Sequence, residues 1–347
     1  MSFLSSTGGG SLSEWTATLT TGGSDGRSGP SLSQAQSGLN ITTDASDFDE
    51  SSYTSDTSLF DNDNGIQQIK IPVEATYRIE AVGAAGAHQV DGIGQGGKGA
   101  EIIGDFDLQE GQTLNVAVGQ EGRGGPNISA REDPGGGGGS FVWINGPPSD
   151  PLIIAGGGAG INQNRSNDAD GQAGEDAGLA SGASGDTSLP GQAVARGEGS
   201  FLDTDRRSCA GGGAGWLSEG NDSSSSPGGL TKQSGDCGGQ GQFGRDLRLQ
   251  NNLQVEGQGT VNQNERLFGG FGSCNIGDEN AHVGGFGGGG GGGCNGEGGG
   301  GGYTGGGATY SSQNHGGGAG SFNGGSNQSN SAGTNFGDGR VIIEFLG

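Results

Sequence analysis

The chain has few of the residues from which protein cores are built. Only 28% of its 347 residues are hydrophobic and 6% are aromatic, whereas 86 are glycine. Globular domains carry glycine at about 7% and bury apolar side chains to offset the entropy of chain ordering. A conventional core of this size is therefore excluded. Collagen is excluded as well, because the chain has 9 prolines and no sustained Gly-X-Y repeat.

Basic residues and long apolar runs are also scarce. The chain has 15 Lys and Arg against 39 Asp and Glu, a formal net charge of −24. Nucleic acid is not an expected partner, because binding a polyanion requires a basic stripe. No stretch approaches the roughly 18 apolar residues of a membrane-spanning helix, and the first residues lack the features of a secretory signal peptide. We expect no membrane insertion. Either the numbering omits a signal peptide, or the chain leaves its cell by another route.

Cysteine is limited to four residues, all in the glycine-rich part of the chain: Cys209, Cys237, Cys274 and Cys294. They include no C-x-x-C pair, and with only three histidines in the chain a zinc site is not expected. The cysteines are predicted to form two disulfides that close long loops, and the sequence leaves all three pairings open. Four reduced thiols are the alternative.

Motifs that carry chemistry are few. Asp61 and Asp63 offer alternating oxygen ligands for a weak calcium site, but Pro72 stands where a calcium loop needs its glutamate, so a solvated turn is favoured. The G-x-G-x-x-G match at residues 92–97 is expected by chance in so glycine-rich a chain and is not followed by a helix. No nucleophile with a nearby base can be nominated. We expect no enzymatic activity and no cofactor.

Glycine divides the chain into regions, since 9 glycines fall in residues 1–82 and 77 in the remaining 265. Residues 1–64 are predicted to be an attachment segment or a poorly packed start. Residues 65–155 carry the strands of a β-sandwich, residues 156–339 form a glycine-rich excursion, and residues 340–347 return as the closing strand. Short apolar or alternating runs predict strands at Ile66–Ile71, Tyr77–Val82, Ala100–Phe106, Thr113–Val118, Ser140–Ile144, Leu152–Ala155 and Arg340–Phe345.

Two features of these regions carry structural expectations. The polar segment 107–112 predicts a hairpin between the strands on either side of it. Glycine runs such as residues 135–139 and 287–293 can adopt the extended polyglycine II helix of three residues per turn, whose N–H and C=O groups bond to neighbouring helices. A flexible linker is the alternative, although Phe, Tyr, Trp and Asn interrupt the runs where a linker needs none.

Several blocks of the sequence form a distinctive series when taken in order. They include residues 26–30 (GRSGP), 76–86 (TYRIEAVGAAG), 151–158 (PLIIAGGG), 301–307 (GGYTGGG) and 337–343 (GDGRVII). The series resembles the glycine-rich module in the extracellular part of anaplastic lymphoma kinase-type receptors, which has counterparts in protist surface proteins and phage virion proteins. The resemblance covers roughly residues 20–345. It implies a tumour necrosis factor-like, jelly-roll β-sandwich that carries a bundle of polyglycine II helices and binds ligands without catalysis.

Aromatic residues within the excursion have two interpretations. They can plug the glycine bundle and pack on the sandwich, or they can stand at loop tips beside polar residues and recognise a sugar or a protein. The candidate ligand-binding residues are Trp216 with Asn221 and Asp222, Tyr310 with Asn314 and His315, and Tyr303.

Together these features predict a virion surface protein, a tail fibre or other receptor-binding appendage of a tailed phage. Its expected partners are a glycan or protein of the host surface and, through residues 1–64, other virion proteins. A homotrimer is expected by analogy. The alternative is a secreted or cell-surface adhesin or matrix protein. Formed disulfides and glycosylation of Asn40 or Asn127 would be evidence for it. An ice-binding protein is a third possibility, which the bulky interruptions disfavour.

Overall fold

The structure is a computed structural model. It describes residues 13–45, 48–88, 96–124, 134–144, 151–162, 166–180, 210–216, 220, 267–270, 282–293, 296–309 and 315–347. The secondary structure of these residues is almost entirely β. Its elements in chain order are β1 (Trp15–Leu19), α1 (Leu32–Gly38), β2 (Leu39–Thr43), α2 (Glu50–Ser55), β3 (Phe60–Asp63), β4 (Ile66–Lys70), β5 (Ala75–Val82), β6 (Gly99–Leu108), β7 (Thr113–Ala117), β8 (Ser140–Ile144), β9 (Ile153–Ala155), β10 (Phe322–Asn323), β11 (Ser326–Asn335) and β12 (Arg340–Phe345).

The strands form two antiparallel sheets of six. Sheet A has the order β11-β6-β5-β12-β1-β2, and sheet B has the order β10-β9-β8-β7-β4-β3. The buried faces of both sheets contribute to one hydrophobic core, which includes Ile79 and Ile343 from sheet A and Ile69, Leu114 and Val142 from sheet B. The predicted all-β sandwich is confirmed.

Alternation of apolar and polar side chains determines which face of sheet A is buried. On β5, Tyr77, Ile79 and Ala81 are fully buried, whereas Arg78 and Glu80 lie on the outer face. Successive residues of a strand point to opposite sides of its sheet, so this pattern places one face on the core and the other toward water. The closing strand β12 pairs with β5 on one side and with β1 on the other.

The structure corrects two expectations. Residues 13–45 and 48–63 are integral to the sandwich rather than poorly packed, because β1 and β2 belong to sheet A and β3 to sheet B, and Trp15 is 2% exposed. Segment 107–112 is not a hairpin. Strand β6 pairs with β5 and β11 in sheet A, whereas β7 pairs with β4 and β8 in sheet B. The segment therefore crosses from one sheet to the other.

Glycine-rich segments extend from the ends of the strands and hydrogen-bond to one another through their backbones. We call this set the glycine lattice. The glycine lattice is not confined to the predicted excursion, residues 156–339, because the chain also enters it from β5 and β7, which precede that range. The predicted excursion in turn includes two strands of the sandwich, β10 and β11. The segments of the glycine lattice are residues 83–87, 119–123, 134–139, 156–161, 211–216, 283–291, 298–302 and 316–320.

Successive backbone N–H groups in the glycine lattice donate to different neighbouring segments, and every third N–H donates to the same segment. Backbone N–H groups of residues 135 to 139 donate, in order, to the carbonyls of Arg123, Gly290, Gly158, Gln120 and Gly287, at 2.7–3.0 Å. The first and fourth acceptors lie three residues apart on one segment, and the second and fifth lie three apart on another. Residues 298 to 302 repeat the pattern with Pro134, Gly211, Gly317, Gly137 and Ala214. Each of these two segments is thus bonded to three neighbours in rotation.

Candidate functional site

The structure describes three of the predicted ligand-binding residues, Trp216, Tyr303 and His315. The remaining predicted ligand-binding residues, the four cysteines and the glycosylation candidate Asn127 lie outside the described residues: Asn221, Asp222, Tyr310, Asn314, Cys209, Cys237, Cys274, Cys294 and Asn127.

Trp216 lies in the interior rather than at a loop tip. It is 3% exposed and packs on the outer face of sheet B. Its ring stacks on Phe141 at 6.1 Å between centroids and meets Trp143 edge-on at 5.6 Å. Both partners lie on β8, so the indole joins the glycine lattice to the sandwich. This position favours the structural interpretation of the residue, because a buried ring offers no face to a ligand.

Tyr303 and His315 are also held by neighbouring parts of the protein. The backbone carbonyl of Tyr303 accepts the N–H of Trp216 at 2.9 Å, and its half-buried ring lies 4.9 Å from that of Phe322. His315 is 6% exposed and pairs with Ile161 through a backbone bridge. The structure therefore brings Trp216 and Tyr303 together in one aromatic cluster and places His315 in a separate part of the lattice.

Asp61 and Asp63 lie on β3, and their carboxylates make local contacts. Asp61 accepts the backbone N–H of Asn62 at 2.8 Å, and Asp63 accepts the side-chain amide of Asn64 at 2.8 Å. Asn64 has a φ of 51° and Gly65 a φ of 91°, as a tight turn between β3 and β4 requires. Within the described ranges, no group of three or more His, Cys, Asp or Glu side chains is placed to hold a metal ion.

The exposed aromatic residue of the described structure was missed by the sequence analysis. Phe336 is 52% exposed in the connection between β11 and β12. The Lys98 ammonium lies 4.6 Å from the centre of its ring, a cation–π contact. The backbone N–H of Lys98 donates to the buried carboxylate of Asp170 at 2.7 Å, which fixes the start of β6 beside Phe336. The sequence signal was an aromatic residue in a Gly- and Asp-rich turn just before the closing strand.

The outer face of sheet A carries paired charges. Arg78 on β5 donates two hydrogen bonds to the carboxylate of Asp105 on β6, from Nε to Oδ1 at 2.9 Å and from Nη2 to Oδ2 at 3.1 Å. Asn327 on β11 donates its amide to the same carboxylate at 2.9 Å. The hydrogen bond from Arg78 lowers the pKa of Asp105, against the opposing effect of burial. One carboxylate thereby connects three strands.

Two carboxyl groups meet where the β11–β12 connection touches the glycine lattice. Asp338 accepts the backbone N–H of Glu121 and the hydroxyl of Thr21, each at 2.9 Å. Burial, assisted by the neighbouring Asp338, raises the pKa of Glu121 to about 7. Burial also raises the pKa of Asp338, and Asp25 adds to the effect. Both carboxyl groups of this pair therefore favour their neutral forms more than they would in water.

The fold defines an all-β class of protein, in which two antiparallel sheets share a core and glycine segments paired through their backbones extend from strands of both sheets. A scan against protein-family models finds no family that matches the chain. Among the helices that the structure describes, none combines the length and apolar character needed to cross a bilayer.

Proposed function

We propose that the protein is a non-enzymatic binding module displayed on a surface, as a tail-fibre or receptor-binding appendage of a virus particle. The observation that carries this proposal is the glycine lattice, in which backbone groups bond to three neighbours in rotation. Such a scaffold needs few buried side chains, so the loops at its ends are free to vary in sequence while the scaffold persists. A constant scaffold with variable loops is suited to a protein that recognises a ligand.

The period of three supports the finer part of the proposal, that the lattice segments are polyglycine II helices. A helix with three residues per turn directs every third N–H to the same neighbour. Close approach of the segments requires glycine. A Cβ on Gly138 would lie 1.7 Å from the carbonyl oxygen of Phe286. The tumour necrosis factor-like topology of the sandwich belongs to the same proposal and rests on the sequence resemblance.

For the ligand we propose a glycan or protein of a host surface, with Phe336 as a contact residue. Its exposed ring provides the apolar face that stacks on a sugar, and Lys98 lies beside it as a donor. The aromatic residues predicted from sequence do not fill this role where they are described, because Trp216 is buried and Tyr303 packs on Phe322.

Binding of the full chain to an array of immobilised glycans tests this proposal. Phe336→Ala is expected to lower binding to any retained glycan by tenfold or more. Leu346→Ala is the matched control, because Leu346 is 42% exposed and follows the opposite end of β12. Equal loss in both variants, or no loss in either, would remove Phe336 from the proposed site. Mass spectrometry of purified virus particles from the source culture tests the location.

A secreted adhesin is the second candidate, favoured by one observation. Asn40 stands in an Asn-Ile-Thr glycosylation sequence and is exposed on β2. Glycan attached to Asn40 in the protein isolated from its source, together with its absence from virus particles, would place the chain in a cellular secretory pathway. An unmodified Asn40 in purified particles would support the virion proposal.

A further inference from the structure

Lys98 differs from most of the described arginines, because its charged group faces an aromatic ring and not a carboxylate. Its ammonium lies 4.6 Å from the centre of the Phe336 ring and has no ion pair within the described ranges. The chain carries 39 acidic residues against 15 basic ones, so a cation without a carboxylate partner is unexpected. Three described arginines form ion pairs: Arg78 with Asp105, Arg123 with Asp25, and Arg340 with Glu80.

The backbone on both sides of Phe336 is held by the glycine lattice. The side-chain amide of Asn335 donates to the carbonyl of Gly83 at 2.8 Å. The carbonyl of Gly337 accepts the N–H of Ala85 at 2.9 Å. The ring of Phe336 is nevertheless 52% exposed. Because its support is fixed, the ring is preorganised to contact a ligand without a large loss of conformational entropy.

The backbone of Lys98 is held in the same way. Its N–H donates to the carboxylate of Asp170 at 2.7 Å, and its carbonyl accepts the N–H of Gly171 at 2.7 Å. The preceding Gly97 donates to the carbonyl of Ala159 at 2.9 Å. Within the described part of the chain, the ammonium itself makes no hydrogen bond. A cation–π contact uses none of its three N–H donors, so they are available to an acceptor on a ligand.

From these observations we propose that the ligand is a sugar with a single carboxylate, which places its C–H face on the ring of Phe336 and its carboxylate on the ammonium of Lys98. The inference rests on the proposed role of Phe336 as a contact residue and names the class of glycan. An aromatic ring provides the apolar surface for the sugar. A carboxylate accepts charge-assisted hydrogen bonds from an ammonium, and these are stronger than hydrogen bonds between neutral groups.

The charge of the protein limits the number of acidic groups on this ligand. A net charge of −24 repels a polyanion, and Lys98 supplies one positive charge at the proposed site. Asp338, two residues after Phe336, adds a carboxyl group to the same connection between β11 and β12. A sugar with one carboxylate matches the one ammonium. A densely sulfated polysaccharide would place further anions against an acidic surface.

Binding of the full chain to matched pairs of immobilised oligosaccharides tests the inference. One member of each pair ends in glucuronic, galacturonic or sialic acid, and the other has the same carboxyl group reduced to an alcohol. The wild-type protein is expected to bind the acidic member of at least one pair about tenfold more tightly. Lys98→Gln should remove this difference, and Lys98→Arg should preserve it. Lys70→Gln is the matched control, because it removes the same charge from β4 in sheet B.

The outcomes separate this inference from the proposed function. If both members of every pair bind equally and Phe336→Ala weakens both, Phe336 contacts a glycan but the inference is wrong. If Phe336→Ala leaves the binding of acidic and neutral sugars unchanged, the proposed site is wrong as well. Absence of binding to every acidic sugar would overturn the inference, as would tighter binding to heparin, a densely sulfated polysaccharide. Circular dichroism of each variant establishes that it folds.

Discussion

Replacing Gly300 by alanine tests whether the glycine lattice is a packed structure. A Cβ at this position would lie 2.2 Å from the carbonyl oxygen of Gly157, whereas ordinary contacts begin at 3.4 Å. Backbone surrounds the site and cannot rotate away, so segments 298–302 and 156–161 must separate by about 1 Å. That movement breaks the bonds from Gly157 to Gly301 at 2.8 Å and from Gly160 to Gly298 at 2.9 Å.

The cost follows from the groups that lose their partners. A buried backbone group without a hydrogen bond costs about 1–3 kcal/mol, so the loss of two bonds should destabilise the lattice by about 2–6 kcal/mol. Thermal denaturation should show a midpoint several degrees lower, and hydrogen exchange should accelerate in peptides from residues 156–161 and 298–302. If the lattice melts separately from the sandwich, the exchange experiment will show the larger effect.

Gly174→Ala is the control for this experiment. A Cβ on Gly174 would have nothing within 4 Å, and its backbone lies outside the left-handed region. Alanine there should be neutral or should stabilise the protein by up to about 1 kcal/mol, because it restricts the unfolded chain. Equal midpoints for Gly300→Ala and Gly174→Ala would refute the argument and would favour the flexible linker considered from the sequence.

Three further predictions concern individual side chains. Glu121 has its pKa raised from 4.5 to about 7, so folding favours its neutral form. The resulting stabilisation is complete below about pH 4.5 and is lost as the pH rises through about 7, and Glu121→Gln should flatten this part of a plot of melting temperature against pH. Asp105→Asn should lower the free energy of unfolding in urea by about 1–3 kcal/mol, because it weakens the bidentate pair with Arg78, whereas Asp107→Asn on the same strand should change it by less than about 0.5 kcal/mol. Trp216→Ala should cost about 3–5 kcal/mol by leaving a cavity against sheet B, and a normal melting curve for this variant would contradict its interior position.

Much of the sandwich could be predicted from local sequence pattern, and the exceptions have physical reasons. Strand β5 alternates apolar and polar residues and was predicted. The same alternation is present in Trp15, Ala17 and Leu19 of β1, but the surrounding Ser-, Thr- and Gly-rich sequence concealed it. Strand β11 could not be predicted, because it has no apolar alternation and owes its conformation to pairing with β6.

The candidate site was less accessible to sequence analysis. Trp216 looks the same in sequence whether it stands at a loop tip or packs in the interior. The deciding partners, Phe141 and Trp143, lie more than seventy residues away in the chain. The contact between Lys98 and Phe336 depends likewise on folding of distant segments. The carboxyl pair of Glu121 and Asp338 arises only when the β11–β12 connection meets the lattice.

The strands continue into the glycine lattice without an intervening linker. Strand β5 runs directly into residues 83–87, and β9 runs directly into residues 156–161. A load applied to the far end of the lattice is therefore carried into the sandwich along the chain direction, where many backbone bonds resist sliding at once. A hinge would concentrate the same load on a few residues. The arrangement has the mechanics of a cantilever, which holds its free end in a fixed orientation under lateral force.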